Sequence, residues 1–222
     1  MEIDLNVRGK LVTVAIDRVV NAGYSGRDRE SVQEHVDELV ADGIAAPDQV
    51  PTTYRVPTGV LRVDPGEIQV VGEDTSGEAE FALLVTGDET YVVAASDQTD
   101  RDLERDDVRK SKAIAPNVLS RDAWRFSTVR DRWDDLELRA WNTVDDEQER
   151  YQDATLGTIL EPDEILDMVR DRYGGPLDGT AILSGTVPVV SGELRPGSRF
   201  EVELVDPDEE RSLSVGYDVT PI

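Results

Sequence analysis

The chain has 222 residues, of which 48 are Asp or Glu against 23 Lys or Arg, giving a formal net charge of -25 at pH 7. Such a field repels phosphate backbones and anionic bilayers from most faces, so neither nucleic acid nor a membrane is an expected partner. The lack of cysteine removes disulfides, zinc–thiolate sites and thiol nucleophiles, while 38% hydrophobic residues suffice for a core in one domain or at most two small ones.

Lysine is confined to Lys10, Lys110 and Lys112. Together with the acidic excess and an aromatic content of 5%, this bias toward arginine reads as a salt-adapted surface whose self-repulsion is relieved by counterions. A melting temperature that falls on dilution from molar to millimolar KCl is the expected signature; a flat profile would count against it. Residues 1–20 alternate polar and apolar, and no stretch has the length of a bilayer span, which predicts a soluble cytoplasmic protein.

From the N terminus, "EIDLNV" (2–7) and "KLVTVAID" (10–17) predict two strands joined as a hairpin at Arg8-Gly9. A helix over about residues 32–42 follows: Ser31 and Glu34 fit a capping box, Val32, Val36, Leu39 and Val40 form an apolar stripe, and Gly43 stands at the C-cap. After a loop with Pro47 and Pro51, strands are predicted at 67–71, 78–86, 90–95, 136–142, 180–184, 199–205 and 211–219. A second helix opens at Pro162 and runs to about Arg172, before Gly174-Gly175. The expected fold is one strand-rich α+β domain, with a hairpin and helix in residues 1–50 packed on a core of residues 51–222.

At this acid content about ten acid-x-acid triplets arise by chance, so spacing alone carries little and the setting of each carboxylate decides. In "GEAEFALLVT", Glu78 and Glu80 share one strand face with Ala82 and Leu84, while Ala79, Phe81, Leu83 and Val85 make up the other. A strand apolar on both faces is buried, so its first two carboxylates point toward the interior or a cleft lip. Asp97 likewise arrives where the apolar run "YVVAA" ends. Three carboxylates at neighbouring strand ends would make a hard oxygen site for magnesium or manganese. The competing reading is a strand whose first residues are simply exposed. The single histidine, His35, lies on the flank of the helix stripe with Glu38 one turn on. It reads either as a general base tuned by a carboxylate or as a helix-edge packing residue.

The order of these features resembles the fumarylacetoacetate hydrolase superfamily, and in particular a branch of it known only as a domain of unknown function. "HVDE" has the family's His-x-x-Glu spacing, "EAEFALLV" its Glu-x-Glu strand, and "SDQTDRDLE" its "NDVSARD"-like segment. "KSKAIAP" is similar to the lysine-bearing loop, "LELRAWNTVDDEQERYQDATLGTIL" to the strand and turn after it, and "DGTAILSGTVPVVSGELRPGSRFEVELVDP" to the closing signature. The resemblance covers about residues 23–205 and implies a fold of mixed β-sheets around a β-roll core with a few short helices, and a homodimer.

It also implies site roles. Glu78, Glu80 and Asp97 would bind Mg2+ or Mn2+, and His35 with Glu38 would activate water or relay a proton. Thr186 would hold a substrate carboxylate or keto oxygen, and Arg101-Asp102 would brace the turn. Lys110 and Lys112 both fit the family's lysine, with Lys112 favoured for catalysis and Lys110 left as a substrate contact. Asp100, Glu104 and Arg105 are read as salt-adapted surface. Departures surround the substrate rather than the metal: Ser96 stands for the usual Asn, "PNV" replaces a Gly-Pro, Val187 interrupts "GTP", and the approach from Gly26 to His35 is long. The implied activity is metal-dependent hydrolytic carbon–carbon cleavage of a small 2-oxo or 1,3-dicarbonyl acid of the acylpyruvate type. The alternatives are decarboxylation or dehydration of 2-oxo or 2-keto-3-deoxy sugar acids, or a non-catalytic protein that binds a small acid.

Overall fold

The computed structural model describes residues 1–41 and 46–222. Strands β1 (Glu2–Val7) and β2 (Lys10–Ala15) pair antiparallel around Arg8 and Gly9, whose φ angles of 52° and 78° form the left-handed turn that suits a two-residue hairpin. Next come β3 (Arg18–Gly23), helix α1 (Arg29–Ala41), β4 (Thr52–Val56), β5 (Leu61–Val63), β6 (Glu67–Val70) and the short β7 (Thr75–Ser76). The central hairpin is β8 (Ala79–Val85) with β9 (Thr90–Asp97), and β10 (Thr99–Asp100), α2 (Arg101–Glu104), α3 (Val108–Ile114), β11 (Asn117–Leu119) and β12 (Trp124–Arg125) continue from it. The C-terminal part adds β13 (Glu137–Val144), β14 (Glu147–Thr155), α4 (Pro162–Tyr173), β15 (Thr180–Leu183), β16 (Arg199–Asp206) and β17 (Arg211–Pro221).

The strands form the expected strand-rich α+β domain. A curled main sheet runs β4-β3-β15-β8-β9-β11-β5, with β12 also on β9, and a second sheet runs β14-β13-β16-β17-β6. Both faces of the main sheet are covered. Phe81, Leu83, Val92 and Ala94 pack toward Leu138, Phe200 and Val202 of the second sheet. Ala82, Leu84, Val93 and Ala95 lie in a separate cluster with Ile3, Leu5, Val14 and Ile16 of the N-terminal hairpin. Each fully buried leucine here contributes about 2 kcal/mol relative to exposure. The apolar runs of β8 and β9 are thus explained by a sheet with no solvent face.

Several elements differ from expectation. β3 lies between β4 and β15, so residues 1–50 contribute a strand to the interior of the main sheet. Its run "RVVNAG" is buried at four consecutive positions and shows no alternation. β14 reads as polar because it is an edge strand with only Tyr151 and Gln152 buried. Helix α1 begins earlier than predicted, with Asp28 in the capping role given to Ser31: its carboxylate accepts from the Glu30 amide at 3.1 Å and from the Ser31 hydroxyl at 2.7 Å. Val40 is exposed, and Gly43 lies outside the described residues. The capping box is instead at α4, between Glu161 and Glu164, with Pro162 in the first turn and Gly174 as C-cap. Among the described residues no helix is long and apolar enough to cross a membrane.

Candidate metal centre

The β8–β9 ladder fixes the geometry of the carboxylates. Reciprocal backbone bonds of 3.0 and 3.1 Å set Glu78 directly opposite Asp97. The two-residue period then turns Glu80 and Asp97 to the face shared with Ala82 and Ala95. One oxygen from each of Glu78, Glu80 and Asp97 lies within 4.8 Å of the others. The loop after β15 closes this end of the strands: the Gly185 amide donates to Glu80 Oε2 at 2.9 Å. Gly185 has φ of 82°, and any side chain there would overlap the Ser25 hydroxyl.

Two cations are brought to the same place by two short helices. Asp100 caps α2 through the Leu103 amide, and Asp107 caps α3 through the Lys110 amide. From α3, the Lys112 ammonium donates to Asp97 Oδ2 at 2.6 Å and Glu78 Oε2 at 3.0 Å. From α2, Arg101 Nη1 donates to Glu78 Oε1 and Glu104 Oε2, both at 2.9 Å, and its Nε donates to Ser76 at 2.8 Å.

Burial and charge act in opposite senses on these groups. Burial alone would raise Glu78, yet Lys112 and Arg101 on either side hold it down at about 2. Burial pushes Glu80 well above the usual carboxylate range, reinforced by Asp97. Asp97 is raised by burial, with Lys112 opposing. Desolvation works against the Lys112 charge, but Asp97 and Glu78 outweigh it and hold the ammonium firmly protonated.

The donor set suits a divalent ion. Glu80 is 1% exposed and Asp97 0% exposed, and Glu80 Oε1 and Asp97 Oδ1 are buried without a hydrogen-bond partner. Four carboxylates, counting Glu104, face two cations. With all four ionised the cluster would carry two negative charges in excess, which burial opposes by raising Glu80 and Asp97 and which a divalent ion would balance. Hard oxygens in that charge balance match magnesium or manganese.

The other residues singled out from the sequence fall in different places. Lys110 points to solvent and pairs with Asp107 at 2.9 Å, away from the carboxylates. His35 and Glu38 are exposed on α1, with Nδ1 and Oε2 3.9 Å apart. The Thr186 hydroxyl gives its one proton to the Ala79 carbonyl at 2.8 Å and accepts from Gln152 at 2.7 Å. Asp102 is exposed and pairs with Arg105 at 3.0 Å, so Arg101 alone braces the turn. Glu104 is not surface decoration, because it faces the buried Arg101 from one turn along α2.

A family model described as "Protein of unknown function (DUF2848)" matches residues 22–217. The chain belongs to the DUF2848 family. No curated protein matches it. Solved structures share the fold at low identity. One, from Oleispira antarctica and assigned as a fumarylacetoacetate isomerase/hydrolase, is 17% identical with a TM-score of 0.70, covering 98% of this chain and 99% of that one. A 5-carboxymethyl-2-hydroxymuconate delta-isomerase from Mycobacterium smegmatis is 18% identical with a TM-score of 0.64, covering 94% and 80%. A 2-keto-3-deoxy-D-arabinonate dehydratase complexed with magnesium and 2,5-dioxopentanoate is 16% identical with a TM-score of 0.63, covering 92% and 73%.

In this DUF2848 chain the sequence also concealed several residues around the carboxylates. Asn117 sits opposite Asp97 on β11 and donates to Asn21 of β3 at 2.9 Å, both fully buried. Gln152 accepts from the Ala79 amide at 2.8 Å, tying the start of β8 to the second sheet. Tyr24 has φ of 55°, and its ring lies 6.4 Å from that of His35. A lone polar residue inside a short apolar run was the only sequence signal for Asn21 and Asn117.

Proposed function

We propose that the chain is a divalent-metal-dependent enzyme for a small 2-oxo or 1,3-dicarbonyl carboxylic acid, cleaving an acylpyruvate-type carbon–carbon bond by hydrolysis. The carrying observation is the trio of Glu78, Glu80 and Asp97 with two buried, unpartnered oxygens. The magnesium-bound relative of the same fold supports it. A divalent ion held there would supply positive charge for a substrate's carboxylate and keto oxygens and favour its enolate.

The chain's own residues divide the remaining work. Lys112 stays protonated, so it acts as a hydrogen-bond donor to a developing oxyanion and not as a base. Arg101 fixes Glu78 from the far side. Thr186 would bind the substrate carboxylate by giving up the Ala79 carbonyl. His35, oriented by Glu38, would take a proton from water attacking the distal carbonyl; the bond electrons pass to the 2-oxo fragment, and the proton returns to its carbon.

One observation favours a second reading. The His35 side chain is 61% exposed, and its one ion-pair partner among the described residues is Glu38. Decarboxylation or dehydration of a 2-oxo or 2-keto-3-deoxy sugar acid would use the cluster without that pair. A cytoplasmic location, expected from the sequence, and a homodimer, implied by the resemblance, are part of the proposal.

The test is a panel of acylpyruvates, 2-oxo acids and deoxy sugar acids assayed in molar KCl with magnesium or manganese, beside metal analysis. About one ion per chain is expected, lost in Glu80→Ala and Asp97→Ala. His35→Ala should keep the ion and lose hydrolysis. Retained activity in His35→Ala moves the assignment to decarboxylation or dehydration, and a wild-type chain without stoichiometric metal ends the proposal.

A further inference from the structure

At the opposite end of β9 from Asp97, three segments distant in sequence converge on a cavity of about 70 Å³ lined by Val7, Arg8, Ala123, Trp124, Arg125, Thr128 and Arg211. β12 pairs with β9 at Val92 and Tyr91, about 17 Å along the strand from Asp97 at ~3.3 Å per residue. Three of the lining residues are arginines and none is acidic, in a chain with twice as many acids as bases. Chance composition would favour carboxylates here.

Two of the three arginines are ion-paired with carboxylates that do not line the cavity. Arg125 Nη1 donates to Glu89 at 2.8 Å. Arg211 Nε donates to Asp206 at 2.9 Å, and its guanidinium lies 4.8 Å from the Trp124 ring centroid. Arg211 Nη2 also lies 2.9 Å from Asp206, so among the described residues the nitrogens left without a partner are Nη1 of Arg211 and Nε and Nη2 of Arg125. Arg8 has no side-chain hydrogen bond or ion pair among the described residues. It also occupies the first turn position of the hairpin at φ of 52°, where Asn, Asp or Gly is normal and a long side chain is strained. An acidic protein would ordinarily place Asp or Asn there. Arginine at that position costs backbone energy and brings a cation to the cavity mouth.

We propose that this cavity is a binding site for a small oxyanion, a phosphate or carboxylate group, held by Arg8, Arg125 and Arg211 over Trp124. A headgroup of that size fits the cavity, and planar guanidinium forks match its geometry. The site is separate from the carboxylate trio and does not depend on the metal reading.

The experiment is isothermal titration calorimetry of the metal-free full-length chain with potassium phosphate and, in a second arm, potassium acetate, at fixed ionic strength. One saturable phosphate site per chain is expected, weakened at least tenfold in Arg8→Asn and unchanged in Arg170→Ala, an exposed arginine outside the cavity. Acetate binding at the same site assigns it to carboxylates as well, and silence in that arm restricts it to phosphate. Arg8→Asn should melt at the same or a higher temperature than wild type, because Asn tolerates the left-handed turn. Loss of affinity therefore cannot be ascribed to misfolding. No phosphate or acetate heat at millimolar concentration, or equal affinity in Arg8→Asn, overturns the site.

Discussion

Strand β8 carries Glu80 at 1% exposure inside a sheet covered on both faces, whereas α1 carries Glu38 with a side chain 78% exposed on a helix that buries only Val36. The residue type is the same, and the element beneath it decides what the carboxylate can do. On β8 the ladder to β9 and the loop at Gly185 fix oxygen positions, desolvation raises the proton affinity, and compensating cations become necessary. On α1 water solvates the charge, and the one neighbour paired with it, His35, is itself exposed and 3.9 Å away. In a chain with 48 acids, most are of the second kind. Burial therefore separates the two kinds of acid, and substitutions matched in chemistry but unmatched in environment should differ in effect accordingly.

The largest expected effect is at the two nearby lysines of α3. Lys112→Met strips the ammonium from Glu78 and Asp97 and leaves buried charge unpaired, which should destabilise the metal-free protein by about 3–5 kcal/mol in chemical denaturation. Lys110→Met, on an exposed pair with Asp107, should change stability by less than about 0.5 kcal/mol. Equal effects at the two positions would show that burial does not separate them.

This contrast also explains what the sequence could and could not disclose. The alternation in "GEAEFALLV" placed Glu78 and Glu80 on the face that the structure turns inward, because a strand has a two-residue period whatever its neighbours. Nothing local distinguished Lys112 from Lys110, since both fall in a seven-residue helix too short to show periodicity. Glu104 looked like surface because its partner, Arg101, is buried by contacts with Ser76 and Glu78 more than twenty residues upstream. β14 and β3 escaped for opposite reasons, one too polar and one too uniformly buried to alternate. Periodicity reports a half-buried surface, so elements at the extremes of exposure are the ones it misses.

A buried acid far from the trio sharpens the same point at intermediate size. Asp206 is fully buried at the end of β16, bonded by Arg132 at 2.9 and 2.6 Å and by Arg211 at 2.9 Å. Burial alone would raise its proton affinity, but the two guanidinium groups prevail and hold it below the ordinary aspartate value. A depressed carboxylate contributes stability above its unfolded value of about 3.9 and loses it as pH falls through the folded one. Asp206→Asn should therefore cost about 2 kcal/mol at pH 7, with the gap to wild type closing below about pH 4 in urea denaturation. A gap independent of pH would mean that packing, and not the charge, is what Asp206 supplies.

The smallest effect is expected on α1 itself. Glu38→Gln removes one charge from an exposed i,i+3 pair whose atoms are 3.9 Å apart. Such pairs contribute about 0.2–0.5 kcal/mol, and salt screens them further. The variant should melt within experimental error of wild type in molar KCl, while slowing any reaction that draws on His35 as a base. A substitution that is silent in stability and strong in turnover would give α1 a role its packing does not require. A loss of stability comparable to that of Asp206→Asn would instead show that α1 is held more firmly than its single buried residue, Val36, accounts for.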